Sequence, residues 1–108
     1  MNILIVGFDN YQELDSTMQK LIDDSQCFLF NVICGGQTRG APGLAEQWAI
    51  KNGAPVNLII EPDVNKLMRE LAKQTDYLIM KISGRLPQVW KNFMMRFKET
   101  GKHGTIIR

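Results

Sequence analysis

The sequence is poor in the residues that mark several common classes of protein. It has only two cysteines, too few for a disulfide framework, and its one histidine, His103, has no metal-type spacing to either cysteine. No apolar run approaches the roughly 18 residues of a membrane span. The apolar opening at 3–6 ends at Gly7 and Asp9, too early for a secretory signal. We therefore predict a cytoplasmic protein with no metal site and no membrane segment, and no cofactor is indicated.

Neither positive nor negative charge is in large excess. Thirteen Lys and Arg residues are offset by eleven Asp and Glu residues, and the cations are scattered along the chain. The one local excess runs from Lys81 to Lys102, where a solvated helix face is the simplest interpretation. Nucleic acid is therefore not an expected partner, although a scaffold that uses a basic C-terminal helix is kept as an alternative.

The two cysteines, Cys27 and Cys34, lie close together in the sequence around an apolar run. A buried, reduced pair is the simpler interpretation, because free cysteine behaves as a small apolar residue. A disulfide or a redox role is the alternative, and it requires an oxidising compartment.

What the sequence does have is a regular alternation of two apolar patterns. Short β-rich runs predict five strands, at 3–6, 28–34, 56–60, 77–82 and 105–107. Between them, apolar residues recur at helical spacing: Leu14, Met18, Leu21 and Ile22; Leu44, Ala45, Trp48 and Ala49; Val64, Leu67, Met68 and Leu71; Val89, Trp90, Phe93, Met94 and Phe97. Asp15 or Ser16 is predicted to cap or open the first helix, and Gly53 to end the second.

This alternation predicts an α/β fold. Strand and helix in strict succession indicate parallel βαβ units with right-handed crossovers. We expect one three-layer Rossmann-like domain over residues 1–108, with an open, mostly parallel sheet of about five strands and helices on both faces. The strands are almost continuously apolar, which is typical of a sheet that is covered on both faces.

In such a sheet, ligands bind beyond the carboxyl ends of the strands. Three glycine-containing loops are expected there, at 7–11, 35–43 and 83–87. The predicted ligand residues are Gly7, Phe8, Asp9, Gly35, Gly36, Gln37, Thr38, Arg39, Gly40, Ala41, Ser83, Gly84 and Arg85.

The second loop is the most informative of the three. Its glycines let a ligand approach the backbone closely, and it leads into a helix whose first N–H groups favour an anion. Pro42 suits the first helical turn, and Arg39 adds a planar cation that matches phosphate or carboxylate. The loop is neither a P-loop nor a Gly-x-Gly-x-x-Gly dinucleotide motif. A turn that only packs helix against strand is the alternative.

The spacing of these motifs resembles a known family. The pattern begins with Gly7, Asp9 and Tyr11, continues with Gly35-Gly36-x-x-Arg39-Gly40-Ala41-x-x-Leu44-Ala45-x-x-Trp48-Ala49, and ends with Gly53-x-Pro55-Val56. It resembles the small SLOG-type Rossmann-like proteins, in particular the DUF2493 group related to YspA and YpsA. More distant relatives are the lonely-guy (lysine-decarboxylase-like) phosphoribohydrolases and the DNA-processing protein A.

The resemblance implies a nucleotide-like ligand at the glycine loop. Family members usually carry an acidic residue where this chain has Pro42. The phosphoribohydrolases add a second glycine loop with a catalytic glutamate, but here 83–87 has no Gly-Thr pair and no glutamate follows until Glu99. A ligand-binding sensor or carrier is therefore the first functional hypothesis. A hydrolase of nucleoside phosphates or N-glycosidic bonds is the alternative.

Several other residues have a structural and a functional interpretation. Asp9 could contact a ribose or shape a turn, and Tyr11 could stack on a base or cover apolar surface. Trp48 is expected in the core, and His103 in a surface loop. Apolar residues of the last helix, Trp90, Phe93, Met94, Met95 and Phe97, are either core or the seam of a homodimer.

Overall fold

The structure is a computed structural model that describes residues 1–25, 31–35, 41–82 and 84–108. The elements in chain order are β1 (Asn2–Val6), α1 (Tyr11–Ser25), β2 (Asn31–Gly35), α2 (Ala41–Lys51), β3 (Val56–Ile59), α3 (Val64–Gln74), β4 (Tyr77–Lys81), α4 (Gln88–Glu99) and β5 (His103–Ile107). Strands and helices alternate as the sequence predicts, so the α/β class is confirmed.

The five strands form one sheet in the order β3-β2-β1-β4-β5, and every neighbouring pair is parallel. In the central strand, Leu4 is in register with Ile33 of β2 on one side and with Leu78 of β4 on the other. The chain therefore builds the sheet outwards in one direction and then crosses back to extend it in the other.

Helices cover both faces of this sheet. On one face, Leu14 and Met18 of α1 and Trp48 of α2 pack with alternate strand residues such as Ile3 and Ile79. On the other face, α3 and α4 pack against the remaining strand residues in a second buried cluster: Leu4, Val6, Ile33, Leu78 and Met80. Three layers and two apolar cores follow directly from the period-two alternation of the strands.

The first helix begins earlier than its apolar stripe indicates. Asn10 caps it, because the Asn10 side chain accepts a hydrogen bond from Glu13 N at 3.1 Å. The prediction that Asp15 or Ser16 caps this helix is therefore wrong. Asp15 instead accepts a hydrogen bond from the buried Trp48 indole at 3.1 Å, which joins α1 to α2. Trp48 is a core residue, as predicted.

The end of α2 agrees with its sequence signal, and the start of α3 has a side-chain cap. Gly53 has a φ of 69°, Gly53 N donates to Ile50 O, and Ala54 N donates to Ala49 O at 2.8 Å. This is the paired hydrogen-bond pattern of a glycine C-cap. At the start of α3, Asp63 accepts a hydrogen bond from Lys66 N at 3.0 Å, so its carboxylate acts as a helix cap.

Five strand boundaries differ from the prediction by one or two residues. His103 is the first residue of β5 rather than part of a loop, and β3 ends at Ile59. The predicted start of the second strand, 28–30, and Cys27 lie outside the described residues. Cys34 belongs to β2, but its side chain is not described, so both interpretations of the cysteine pair stay as predictions.

The aromatic residues of α4 belong to the core. Trp90, Phe93 and Phe97 are buried, with Trp90 edge-on to Phe93 and Phe93 stacked on Phe97. Met95 remains 64% exposed on this helix. Across the described ranges, no helix is both long and apolar enough to cross a membrane.

Candidate functional site

The strand order places a crevice between β1 and β4. From β1 the chain continues into α1 on one face of the sheet, and from β4 it continues into α4 on the opposite face. The two connecting loops therefore separate as they leave neighbouring strands. Open α/β sheets bind their ligands at this switch point, just beyond the carboxyl ends of the strands.

A cavity of about 190 Å³ lies in this crevice. Its walls come from the ends of β1 and β4, from the loop after β4 and from the first turn of α4. The lining residues are Val6, Gly7, Met80, Lys81, Ile82, Arg85, Leu86, Pro87 and Trp90. The structure thus brings together Gly7 and Arg85, which are far apart in the sequence and were both predicted as ligand residues.

Gly7 is required here by the protein's own backbone. Its φ of 89° lies in the region that side chains rarely adopt. A Cβ at this position would also overlap the backbone oxygen of Lys81 in the adjacent strand. Glycine therefore lets the ends of β1 and β4 approach each other, which keeps the floor of the crevice closed.

The rest of the first loop divides between core and surface. Phe8 is buried in the cluster under α1 and α2, whereas Asp9 is exposed beside the crevice. Tyr11 is half-buried against the same cluster, and Lys51 Nζ lies 5.3 Å from its ring centroid. The structure thus places Tyr11 as a covering aromatic, and the side chains of Asp9 and Asn10 in this loop are exposed.

An ion pair at this edge was missed from the sequence. Lys81, the last residue of β4, forms a salt bridge with Glu13 in the first turn of α1. Both side chains are partly buried, and Lys81 also lines the cavity. A lysine that ends an apolar strand was the available signal, but its partner is 68 residues away in the sequence.

The loop after β4 leads to a helix start that no side chain caps. Gly84 has a φ of 76°, Arg85 is exposed, and Pro87 is the N-cap residue of α4 without a capping side chain. Trp90 N and Lys91 N both bond to Pro87 O, so the N–H groups that precede them have no helical partner. Such a terminus favours an anion.

Much of the second loop lies outside the described residues. Gly35 ends β2 and Ala41 begins α2, so this loop leaves the same edge of the sheet, next to β1. The described residues do not include five predicted ligand residues of this loop: Gly36, Gln37, Thr38, Arg39 and Gly40. They also do not include Ser83 of the third loop. Their roles stay as predictions.

A larger cavity lies elsewhere on the molecule. It measures about 480 Å³ and is lined by α1 and by the open face of β4 and β5: Thr17, Lys20, Leu21, Asp24, Tyr77, Ile79, Thr105 and Ile107. This larger cavity lies where α1 leaves part of β4 and β5 uncovered. Because none of the predicted ligand residues lines it, we place the candidate site at the smaller crevice.

In the part of the chain that the structure describes, no three His, Cys, Asp or Glu residues are grouped closely enough to hold a metal ion. His103 is exposed at the start of β5, so it lies at the amino ends of the strands. The crevice lies at their carboxyl ends.

The fold and the crevice together define a Rossmann-like α/β domain with a switch-point cavity. A scan against models of known protein families finds no match to this chain, and a search of curated proteins finds none either.

Proposed function

We propose that this chain is a small ligand-binding domain, a sensor or carrier, that holds a phosphorylated, nucleotide-like compound at the carboxyl edge of β1, β2 and β4. One observation carries the proposal: the switch-point cavity is lined by Gly7 and Arg85, two residues that sequence reasoning selected independently. The resemblance to the SLOG-type proteins, and to the DUF2493 group among them, supports a nucleotide-like ligand.

The charges around the crevice favour an anion. Arg85 is exposed at its rim and forms no salt bridge with any residue that the structure describes. The Lys81 charge, by contrast, is offset by Glu13. A guanidinium matches the geometry of phosphate oxygens, and the uncapped start of α4 adds backbone donors beside it.

The size of the cavity limits what it can enclose. Pockets that enclose a whole small-molecule ligand measure about 300–1,000 Å³, so a cavity of about 190 Å³ suits only a part of one. We assign that part to a phosphoryl group with its sugar. The remainder would extend over the loops after β1 and β2, where Asp9 is exposed and Arg39 is expected.

Hydrolysis gains no comparable support. Among the described carboxylates near this edge, Glu13 is held by Lys81, and Asp9 is not among the residues that line the cavity. A general acid or base must reach the atom that reacts. We therefore propose binding without catalysis.

Isothermal titration calorimetry with AMP, ADP-ribose, inorganic phosphate and adenosine tests the proposal. AMP or ADP-ribose should bind more tightly than adenosine, because adenosine lacks the phosphoryl group. The Arg85→Gln variant should weaken that binding by about tenfold or more, as expected for a lost charge-assisted pair.

Arg69→Gln is the matched control, since Arg69 is an exposed arginine on α3. It should bind as the wild type does. Equal binding by the two variants, or a preference for adenosine over AMP, would refute the proposal. Mass spectrometry of small molecules released from the native protein would then identify any different ligand.

A further inference from the structure

The edge strand β3 carries an apolar face that none of the four described helices covers. Val56 is in register with Val32, which belongs to the cluster under α1 and α2, so Val56 and Leu58 point to that side of the sheet. However, α2 packs on β1 and β2 rather than on β3. Val56 is 38% exposed, Leu58 54% and Ile60, which follows the strand, 82%.

The side chains on the opposite face of β3 have partners within the protein. Asn57 donates a hydrogen bond to the Gln74 side chain at 3.2 Å, and Ile59 packs against the cluster under α3 and α4. The strongly exposed apolar side chains therefore lie on one face, and they coincide with an edge where β3 pairs only with β2 among the described residues.

The strongly exposed apolar residues of this edge lie on one face of β3 and directly after it. We call Val56, Leu58 and Ile60 the β3 patch.

The area and the lack of charge both point to a protein partner. The exposed fractions correspond to roughly 300 Å² of apolar surface, within the size range of the biggest patch on a typical monomer. One partner of a standard interface buries about 800 Å². The β3 patch would supply roughly 40% of that area, and the open backbone edge of β3 would add hydrogen bonds. An uncharged edge strand left open is also prone to non-specific pairing.

We propose that the β3 patch is the interface between two copies of this chain, with β3 paired antiparallel to β3 of the second copy. A two-fold axis perpendicular to the sheet keeps each face on its own side, so only residues of the same face can oppose one another. With the axis at Leu58, Leu58 opposes its own copy, Val56 opposes Ile60, and Asn57 opposes Ile59. The apolar residues then form one continuous stripe across the junction, and no charged residue opposes another.

The other free edge of the sheet does not suit a second copy. Around β5 lie Lys98, Lys102 and His103, and Arg108 follows the strand. A two-fold axis at Thr105 would bring Lys102 opposite Arg108 twice, and like charges that oppose one another destabilise a strand pair. The charge distribution therefore favours β3 over β5 as the interface strand. This strand lies at the opposite edge of the sheet from α4.

Sedimentation velocity on the full chain, up to about 100 µM, tests the proposal. The wild type should be a dimer. Leu58→Lys and Leu58→Glu should each be monomeric, because each places two like charges across the axis. An equimolar mixture of the two variants should form dimers again, since the axis then pairs opposite charges. Circular dichroism should show that both variants remain folded.

Met95→Lys is the control, because Met95 is the strongly exposed apolar residue of α4. It should remain a dimer. A monomeric wild type, a dimer that survives both Leu58 substitutions, or dissociation by Met95→Lys alone would overturn the proposal. The last result would place the interface on α4 instead.

Discussion

Single residues at the carboxyl edge have roles that their type alone does not reveal. Gly7 was predicted as a ligand residue, and the structure adds a reason that is independent of any ligand, the close approach to Lys81 O. Asp15 was expected to cap α1, but its carboxylate binds the Trp48 indole. A cap and a tertiary hydrogen bond require the same acceptor, so sequence spacing cannot separate the two roles.

Gly7→Ala and Gly43→Ala should change stability in opposite directions. Alanine at position 7 would need a positive φ and would overlap a backbone oxygen, so we expect a loss of about 2–3 kcal/mol or more. Gly43 lies in α2 with nothing within 4 Å of an added Cβ. Alanine there should stabilise the protein by about 0.5–1 kcal/mol.

Urea denaturation of the two variants measures both effects. Because each change adds the same methyl group, the comparison isolates the backbone environment. A Gly7→Ala variant as stable as the wild type would show that β1 and β4 do not approach as closely as described.

At the scale of elements, the sequence predicted the order and number of helices and strands, but it erred at their ends. The first turn of α1 is largely polar, so an apolar stripe that begins at Leu14 locates the helix too late. His103 and Gly104 resemble loop residues, yet both belong to β5. A Cβ at Gly104 would lie 2.7 Å from Leu78 O, so glycine here marks a close strand approach rather than a turn.

The Lys81–Glu13 pair joins the end of β4 to the start of α1, and a double-mutant cycle tests it. Lys81→Met, Glu13→Gln and the double variant should give a coupling of about 0.5–1 kcal/mol at low salt, since both side chains are partly exposed. In about 1 M salt the coupling should fall, because screening weakens the attraction. Purely additive effects at low salt would show that the pair contributes nothing to stability.

At the scale of the whole molecule, topology explains how much of the site was predictable. The alternation of strand and helix predicted that loops after three strands gather at one edge, and the order β3-β2-β1-β4-β5 places those strands side by side. The expectation of a sheet covered on both faces holds in the centre. It fails at β3, because α2 covers β1 and β2 instead. Coverage depends on where a helix packs, which a strand's own sequence does not determine.

The residues that complete the crevice were beyond sequence reasoning for a related cause. Lys81 and Trp90 line the cavity because β4 lies next to β1 and α4 returns beside them. Both β4 and α4 are distant from β1 along the chain. Arg85 could be proposed because charge and glycine occur together in one loop, whereas a tryptophan on an apolar helical stripe indicates only a core position.

The most direct test of the central claim is to locate the bound phosphoryl compound by NMR. With ¹⁵N-labelled protein titrated with AMP, the amide signals of Gly7, Asp9, Gly84 and Arg85 should shift together and saturate, while Thr17 and Thr105 of the larger cavity should not. Adenosine at the same concentration should not shift the amide signals of Gly7, Asp9, Gly84 and Arg85. Shifts confined to Thr17 and Thr105, or equal shifts with adenosine, would contradict a phosphate site at the crevice between β1 and β4.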